Sequence, residues 1–398
     1  MFKRLNILLL LLCGFSITHA SDFFSSCRFH FGTEISKVYN IDNNTTINAG
    51  TIAEVDYFTG PWAGSSETFN LVNYFKACKT LGKTPVVVAY IIAFAAKRDL
   101  KIDDCNVSQN NLCKKGAGYI RNNRTKILNI YSAYAKGIAS TYGTDKPVIW
   151  CMEPDYSQYT ESMQEGGGIS YADAGTLMSD IISTVKKDLP KSMFSMDISP
   201  WKDTTWQNTW YTALNVAENF SFINTSGGSS KAASSFISDD WAQNLPKWAW
   251  VLKRWNKPVI ADAGYGVNGG GTGHDSNWDN VNNLNARITD GVIGVSQYNP
   301  KNDWAGTIQS IRSQLPAPPS CPSVAIINRQ TSTSIHTIHT INNGDRFELI
   351  DFTGKVLFTS TLTSNSLNYI QSHYGNGSFL FRSADGVVEQ KIFVGTNR

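Results

Sequence analysis

Short apolar, β-branched runs recur along the first three quarters of the chain, separated by longer stretches whose apolar positions fall at helical spacing. Residues 27–31, 52–57, 85–90, 148–152, 194–198, 221–224, 259–262 and 292–297 read as strands. Residues 119–142, 171–188 and 241–255 read as amphipathic helices between them. Strands alternating with helices predict a parallel sheet with crossover helices, and this count suits a (β/α)8 barrel or a distorted (β/α) variant of it.

Nearly every expected strand end carries a polar, acidic or aromatic residue: Asp56, Tyr90, Glu153 with Asp155, Asp197, Asn224, Asp262, and Gln297 with Tyr298. In such barrels the active site is built on the carboxyl ends of the strands, so acids and rings in that register predict a site there. One acid after a strand is usually a turn former or a helix cap; several in register are harder to explain that way.

The pattern changes after Leu315. Pro316-Ala317-Pro318-Pro319-Ser320 reads as a stiff linker. Beyond it, alternation at 347–350, 355–358, 378–381 and 390–394, with Asn343-Gly344 and Asn376-Gly377 at turns, predicts a small antiparallel β-sandwich domain. The expected division is a barrel over 21–315, a linker over 316–323 and a β-domain over 324–398.

Lys3 and Arg4, an apolar run from Ile7 to Leu12 and the ending Thr18-His19-Ala20 make residues 1–20 read as a secretory signal. That run is too short to span a bilayer, and no later stretch approaches the uninterrupted apolar length of a transmembrane helix, so no membrane span is expected. Export implies an oxidising destination, where some of Cys27, Cys78, Cys105, Cys113, Cys151 and Cys321 should pair. Cys105 and Cys113, bracketing a polar loop, are the best pair, and Cys151 reads as a free buried thiol. Net charge is only +3, and no Lys/Arg cluster alternates with aromatics, which argues against nucleic acid.

The chain holds 11 Trp, 16 Tyr and 20 Phe. In an exported protein that excess favours a polysaccharide partner, because aromatic rings stack on the apolar faces of sugars, although core packing uses the same residues. Trp62, Trp201, Trp206, Trp210, Trp278 and Trp304 fall in expected loops, and about half of them should be sugar platforms. His274 with Asp275 and Asp279 reads as a solvated cluster, so neither metal nor cofactor is expected. The absence of a Gly-x-Ser-x-Gly elbow and the few His residues disfavour an esterase.

The most specific local pattern is PVIWCMEPDYSQY, residues 147–159, in which an apolar strand delivers Glu153 and Asp155 to its carboxyl end. Glycosidic hydrolysis needs a carboxyl that is protonated at working pH, and crowding by like charge or apolar walls raises a carboxyl pKa. Either residue suits that role. With this motif the chain resembles glycoside hydrolase family 6, the inverting β-1,4-glucanases and cellobiohydrolases, where the Asp of Glu-Pro-Asp is the general acid. The resemblance implies Asp155 as acid, and Tyr90 with Asp99 or Asp104 as its supports, from TPVVVAYIIAFAAKRDLKIDDC. It further implies sugar contacts from Trp201 in FSMDISPW and Asn224 in FINTSGG, and a base region at Asp303 in QYNPKNDW. Where the family has cations, this chain has Tyr265 and either Gln297 or Tyr298. Tyr156 and Trp62 complete the candidate sugar contacts. The last sixty or so residues resemble the sorting or surface-anchoring domains of secreted Bacteroidetes and Fibrobacteres proteins, with a carbohydrate-binding module as the competing reading.

The expectation is a monomeric secreted or surface-attached glycosidase cleaving β-1,4-glucan with inversion. Two rivals stand beside it: a retaining enzyme with Glu153 as acid and Asp262 as nucleophile, and a non-catalytic glycan-binding protein on the same barrel.

Overall fold

The structure is a computed structural model that describes residues 28–319 except 106, 162–165, 226–229, 239–243 and 264–272, and then four strand segments between residues 346 and 394. The expected signal, Cys27 and Cys321, residues 320–323 of the linker and the turns between the strands of the C-terminal domain lie outside the described residues. The chain divides into two compact units, Met1–Val324 and Ala325–Arg398.

In the first unit eight strands, β1 His30–Glu34, β2 Tyr57–Ala63, β3 Thr84–Ala89, β4 Val148–Met152, β5 Ser192–Asp197, β6 Phe222–Thr225, β7 Val259–Ala263 and β8 Val292–Gln297, close into a parallel barrel. The seam is the β1–β8 pairing, from His30 opposite Gly294 to Thr33 opposite Gln297. The surrounding helices are α1 Ala49–Glu54, α2 Val72–Leu81, α3 Ile91–Leu100, α4 Leu112–Thr141, α5 Tyr156–Thr160, α6 Tyr171–Asp188, α7 Thr204–Ala213, α8 Val216–Asn219, α9 Trp248–Trp255, α10 Val281–Thr289 and α11 Trp304–Arg312. No described helix is long and apolar enough to cross a membrane.

Both faces of the strands are buried, which is why they read as continuous apolar runs. Alternate residues, among them Val87, Trp150, Phe194 and Val295, pack outward under the helices. The others fill the interior: Tyr57, Val86, Ile149, Cys151, Met193, Phe222, Ile260 and Ile293 form a separate cluster drawn from seven of the strands. β1 contributes Gly32 instead, because a Cβ there would stand 2.1 Å from the Tyr57 ring. The glycine is what admits so large a ring to the barrel floor.

Two early strands lie further along the chain than expected. Ile52 belongs to α1, whose first turn is capped by Asn48 accepting the Thr51 N–H, and β2 begins only at Tyr57, broken by a register shift between Thr59 and Trp62 around Gly60-Pro61. Asp56 is therefore at the amino end of β2, opposite the expected site. There it meets Arg28 at 2.6 Å, His30 at 3.2 Å and Arg312 at 3.7 Å. Burial would raise its pKa, but His30, Arg312 and Arg28 hold it below the usual carboxylate value. Of the expected helix over 241–255, only Trp248–Trp255 is helical among the described residues.

Cys105 and Cys113 are joined in a disulfide, and Cys78 and Cys151 are free and buried. In the second unit β9 Arg346–Ile350, β10 Val356–Thr361, β11 Gly377–Ser383 and β12 Glu389–Val394 form one antiparallel sheet in the order β10-β9-β11-β12.

Candidate active site

Toward the carboxyl ends of the strands the barrel interior opens into a small hollow. Its lower walls are apolar, from Val86, Ile149, Phe222 and Ile260, and its polar groups are Tyr57, Thr59, Asn224, Asp262, Ser296 and the Cys151 thiol. Asp262 follows Ile260 by two residues on β7, so strand alternation turns both inward. The Asp262 N–H donates to Thr225 Oγ1 at 3.1 Å. Burial among these walls pushes the Asp262 carboxyl up to about 7, against a smaller downward pull from a hydrogen bond with Ser296. The Ser296 hydroxyl also lies 3.0 Å from the Tyr57 hydroxyl, which can donate to it, and accepts from Thr59 at 3.3 Å. Asn224, almost fully buried, accepts from the Ser195 hydroxyl at 2.8 Å.

β4 ends in the Glu-Pro-Asp turn, and its two acids part company. Glu153 is fully buried in the wall. Its Oε1 accepts from the Ile92 N–H at 2.8 Å and the Tyr131 hydroxyl at 2.5 Å, its Oε2 accepts from the Tyr159 hydroxyl at 2.6 Å, and the Ala93 N–H is a further donor. It thus caps α3, whose own preceding residue, Tyr90, supplies no side-chain cap. Burial raises its pKa to about 7 against these donors. Pro154 lines the hollow. Asp155 follows with a left-handed backbone (φ 63°) and makes no cap bond to α5. Gln158 Nε2 donates to it at 2.6 Å. Burial, then the charge of Asp104, raise its pKa, and Gln158 pulls it back. Glu153 is left-handed too (φ 36°), a conformation costing a non-glycine residue roughly 1–2 kcal/mol.

One rim of the mouth is aromatic. Trp62, at the end of β2, is 44% exposed, and its ring stands edge-on to Tyr90 (5.1 Å) and Phe94 (6.5 Å). Lys97 Nζ lies 5.1 Å from the Phe94 centroid and 2.5 Å from Asp104, whose other oxygen accepts from Tyr90 at 3.3 Å. Burial, Asp104 and Asp155 together push the Tyr90 hydroxyl up, so it stays a donor. Beyond β5, Trp201 is partly exposed. Trp206 donates to Glu161 at 3.2 Å and to Tyr171 at 3.1 Å.

Other expected site residues are placed elsewhere. Asp99 bonds Tyr119 at 2.6 Å and Lys126 at 2.8 Å, between α3 and α4. Asp303 is exposed in front of α11. Tyr156, Trp210, Trp278 and Trp304 are buried and offer no ring face to a ligand: Tyr156 donates to the Ala174 carbonyl, Trp278 to the Ser230 carbonyl and Trp304 to Asp279. Asp279 is shared with His274 at 2.6 Å and Lys301 at 3.1 Å, contacts that outweigh its burial and lower its pKa.

Tyr57, Ser296, Phe94, Lys97 and Gln158 were not expected at the site. Phe94 and Lys97 had a signal, since they follow Tyr90 by four and seven residues and share its helix face. Ser296 had none: a register shift between Val292 and Gly294 inverts the alternation by which an inward residue on β8 would be read.

No protein-family model matches the chain, and no curated protein does. Solved structures do. An endo-β-1,4-mannanase double mutant from Cellulomonas fimi is 9% identical, with 95% of this chain and 97% of that one covered and a TM-score of 0.48. A family 26 β-mannanase from Bacteroides ovatus is 12% identical over 72% and 88%, with a TM-score of 0.47. The catalytic domain of a family 26 endo-β-1,4-mannanase from Bacillus sp. JAMB-750 is 12% identical over 74% and 87%, with a TM-score of 0.45. At such low identity the likeness extends to the barrel alone. These findings overturn the resemblance to glycoside hydrolase family 6, a different family and fold. Of the residues that carried it, Glu153 enters the wall, Asp99 faces α4 and Asp303 faces solvent, while Tyr90, Asp104 and Asp155 stand near one another.

Proposed function

We propose that the chain is an exported glycoside hydrolase acting on a β-linked polysaccharide, with Asp155 and Asp262 as its reacting carboxyls. The observation that carries this reading is the pair itself: two acids at the carboxyl ends of β4 and β7, both raised by burial, at one barrel mouth. A carboxyl titrating near neutrality is suited to protonate a leaving oxygen, which assigns the acid role to Asp262. Asp155 keeps a hydrogen bond to its ionised form from Gln158 and takes the role of base toward water. The Trp62 ring, exposed beside Tyr90, supplies a stacking surface for a flat, equatorially substituted sugar. The Cys105–Cys113 disulfide accords with an oxidising destination.

Inversion goes with this division of roles: an acid for the leaving oxygen and a separate base for water need about 6.5–9.5 Å between the carboxyls, whereas retention needs about 5–5.5 Å. The deciding experiment is reducing-end release from β-glucan, mannan and xylan by the parent, Asp155→Asn and Asp262→Asn, with proton NMR of the first-formed anomer. Release that survives both substitutions sinks the assignment, a retained anomer sinks inversion, and binding without release by the parent makes the protein a glycan-binding one.

A further inference from the structure

We propose that Glu153 is a positioning residue, anchored in the barrel wall so that Asp155 and Tyr90 are held at the same mouth. The inference builds on the reading of Asp155 as a reacting carboxyl. Glu153 meets four donors, two amides of α3 and two phenols. They belong to the elements on either side of the site. Ile92 and Ala93 open the helix that Tyr90 immediately precedes, Tyr159 lies on the helix that Asp155 immediately precedes, and Tyr131 of α4 braces both from behind.

The backbone adds to the anchor. The Glu153 N–H donates to the Ala89 carbonyl at 2.7 Å, joining β4 to the end of β3, and the Glu153 carbonyl accepts from the Tyr156 N–H at 3.0 Å. Glu153 and Asp155 are both left-handed on either side of Pro154. Residues held in that region persist when their surroundings over-determine them. Releasing the Glu153 side chain therefore frees the turn to relax, and Asp155 moves with it. A cap that served stability alone would need no such link to the acid two residues on.

The test measures kcat and KM for Glu153→Gln, Tyr159→Phe, Asp155→Asn and the Glu153→Gln/Asp155→Asn double variant. The substrate is the polysaccharide that the screen identifies, at a temperature where near-UV circular dichroism shows each variant folded. Expected are kcat losses of about 10- to 100-fold for the first two with KM little changed, since a small misplacement of a reacting group costs about that much. The double variant should be no slower than Asp155→Asn, because Glu153 acts through Asp155. Parental kcat in both Glu153→Gln and Tyr159→Phe, or losses that multiply in the double variant, overturn the proposal. Parental activity in Asp155→Asn overturns the reading of Asp155 instead. Positioning is then judged by carbon-13 NMR titration of the Asp155 carboxyl, expected to fall toward the ordinary carboxylate range in Glu153→Gln, with an unchanged titration counting against it.

Discussion

Asp262 and Ser296 stand opposite each other in the register of β7 and β8 and share a hydrogen bond inside the hollow. That bond favours the charged form of Asp262, but burial outweighs it, leaving the carboxyl at about 7. If Asp262 is the proton donor, kcat/KM falls as pH rises through about 7. Asp262→Asn should cost about 10²–10⁴ in kcat, the range expected for a general acid. A flat pH profile between 6 and 9 would be incompatible with that role.

The same burial sets the pH dependence of stability. Burial pushes Asp262 and Glu153 up to about 7 in the folded protein, whereas unfolded they return to the ordinary carboxylate values of 3.8 and 4.5. The folded state therefore binds more protons between about pH 4 and 7, and these two groups lower stability as pH rises through that window. Asp56 and Asp279 have the opposite sign: their pKa values are lowered, so their contribution is lost as pH falls below the ordinary carboxylate value. Urea midpoints should thus peak on the acid side of neutrality. Asp262→Asn should raise the midpoint at pH 8, by the equivalent of about 1–3 kcal/mol, and leave it nearly unchanged at pH 4.

Gly32→Ala should destabilise the barrel by about 1–3 kcal/mol or more, since the added carbon must displace the Tyr57 ring from a packed floor. The displaced ring would also disturb the Ser296 hydroxyl that meets both Tyr57 and Asp262. Thermal unfolding reads the first effect and the pH–activity profile the second. A variant of parental stability would mean that the ring has room to move.

Trp62→Ala should weaken substrate binding by about tenfold, near 1.4 kcal/mol, while the melting temperature stays within a degree or two, because the ring is on the rim. An equal KM in parent and variant would remove Trp62 from the sugar path.

Cys105→Ser with Cys113→Ser opens a loop spanning eight residues, for which chain entropy gives a loss of about 2–3 kcal/mol. The loop begins beside Asp104, so the variant should also shift the pH profile through the Asp104 charge on Asp155. Urea unfolding and a pH profile on the same preparation check both.

Some of this architecture was legible in the residues because single physical signals governed it. Val148–Met152 is apolar throughout and buried on both faces, and Tyr171–Asp188 keeps helical spacing behind a Ser170 cap, so both elements match their sequence reading. β2 was misread because Gly60-Pro61 interrupts it, while the β-branched residues before it belong to a short helix. The site was legible as a location more than as a set of side chains. Glu153 and Asp155 were found together, but which one is buried in the wall and which stays partly exposed depends on two left-handed residues that strand alternation does not encode. Trp278 and Trp304 were expected in exposed loops; one lies in a 3-10 helix and the other opens α11, and both indoles turn inward to find acceptors.

The carboxylate of Asp56 gathers a guanidinium from before the first barrel strand and another from the last barrel helix. A chain emerging from a ribosome or a translocation pore has Arg28 and Asp56 long before it has Arg312. Until that final arginine arrives, the buried anion is short of one of its cations and the seam between the first and eighth strands is unclasped. Nascent chains truncated before α11 should therefore remain open to proteases, however complete the rest of the barrel sequence is.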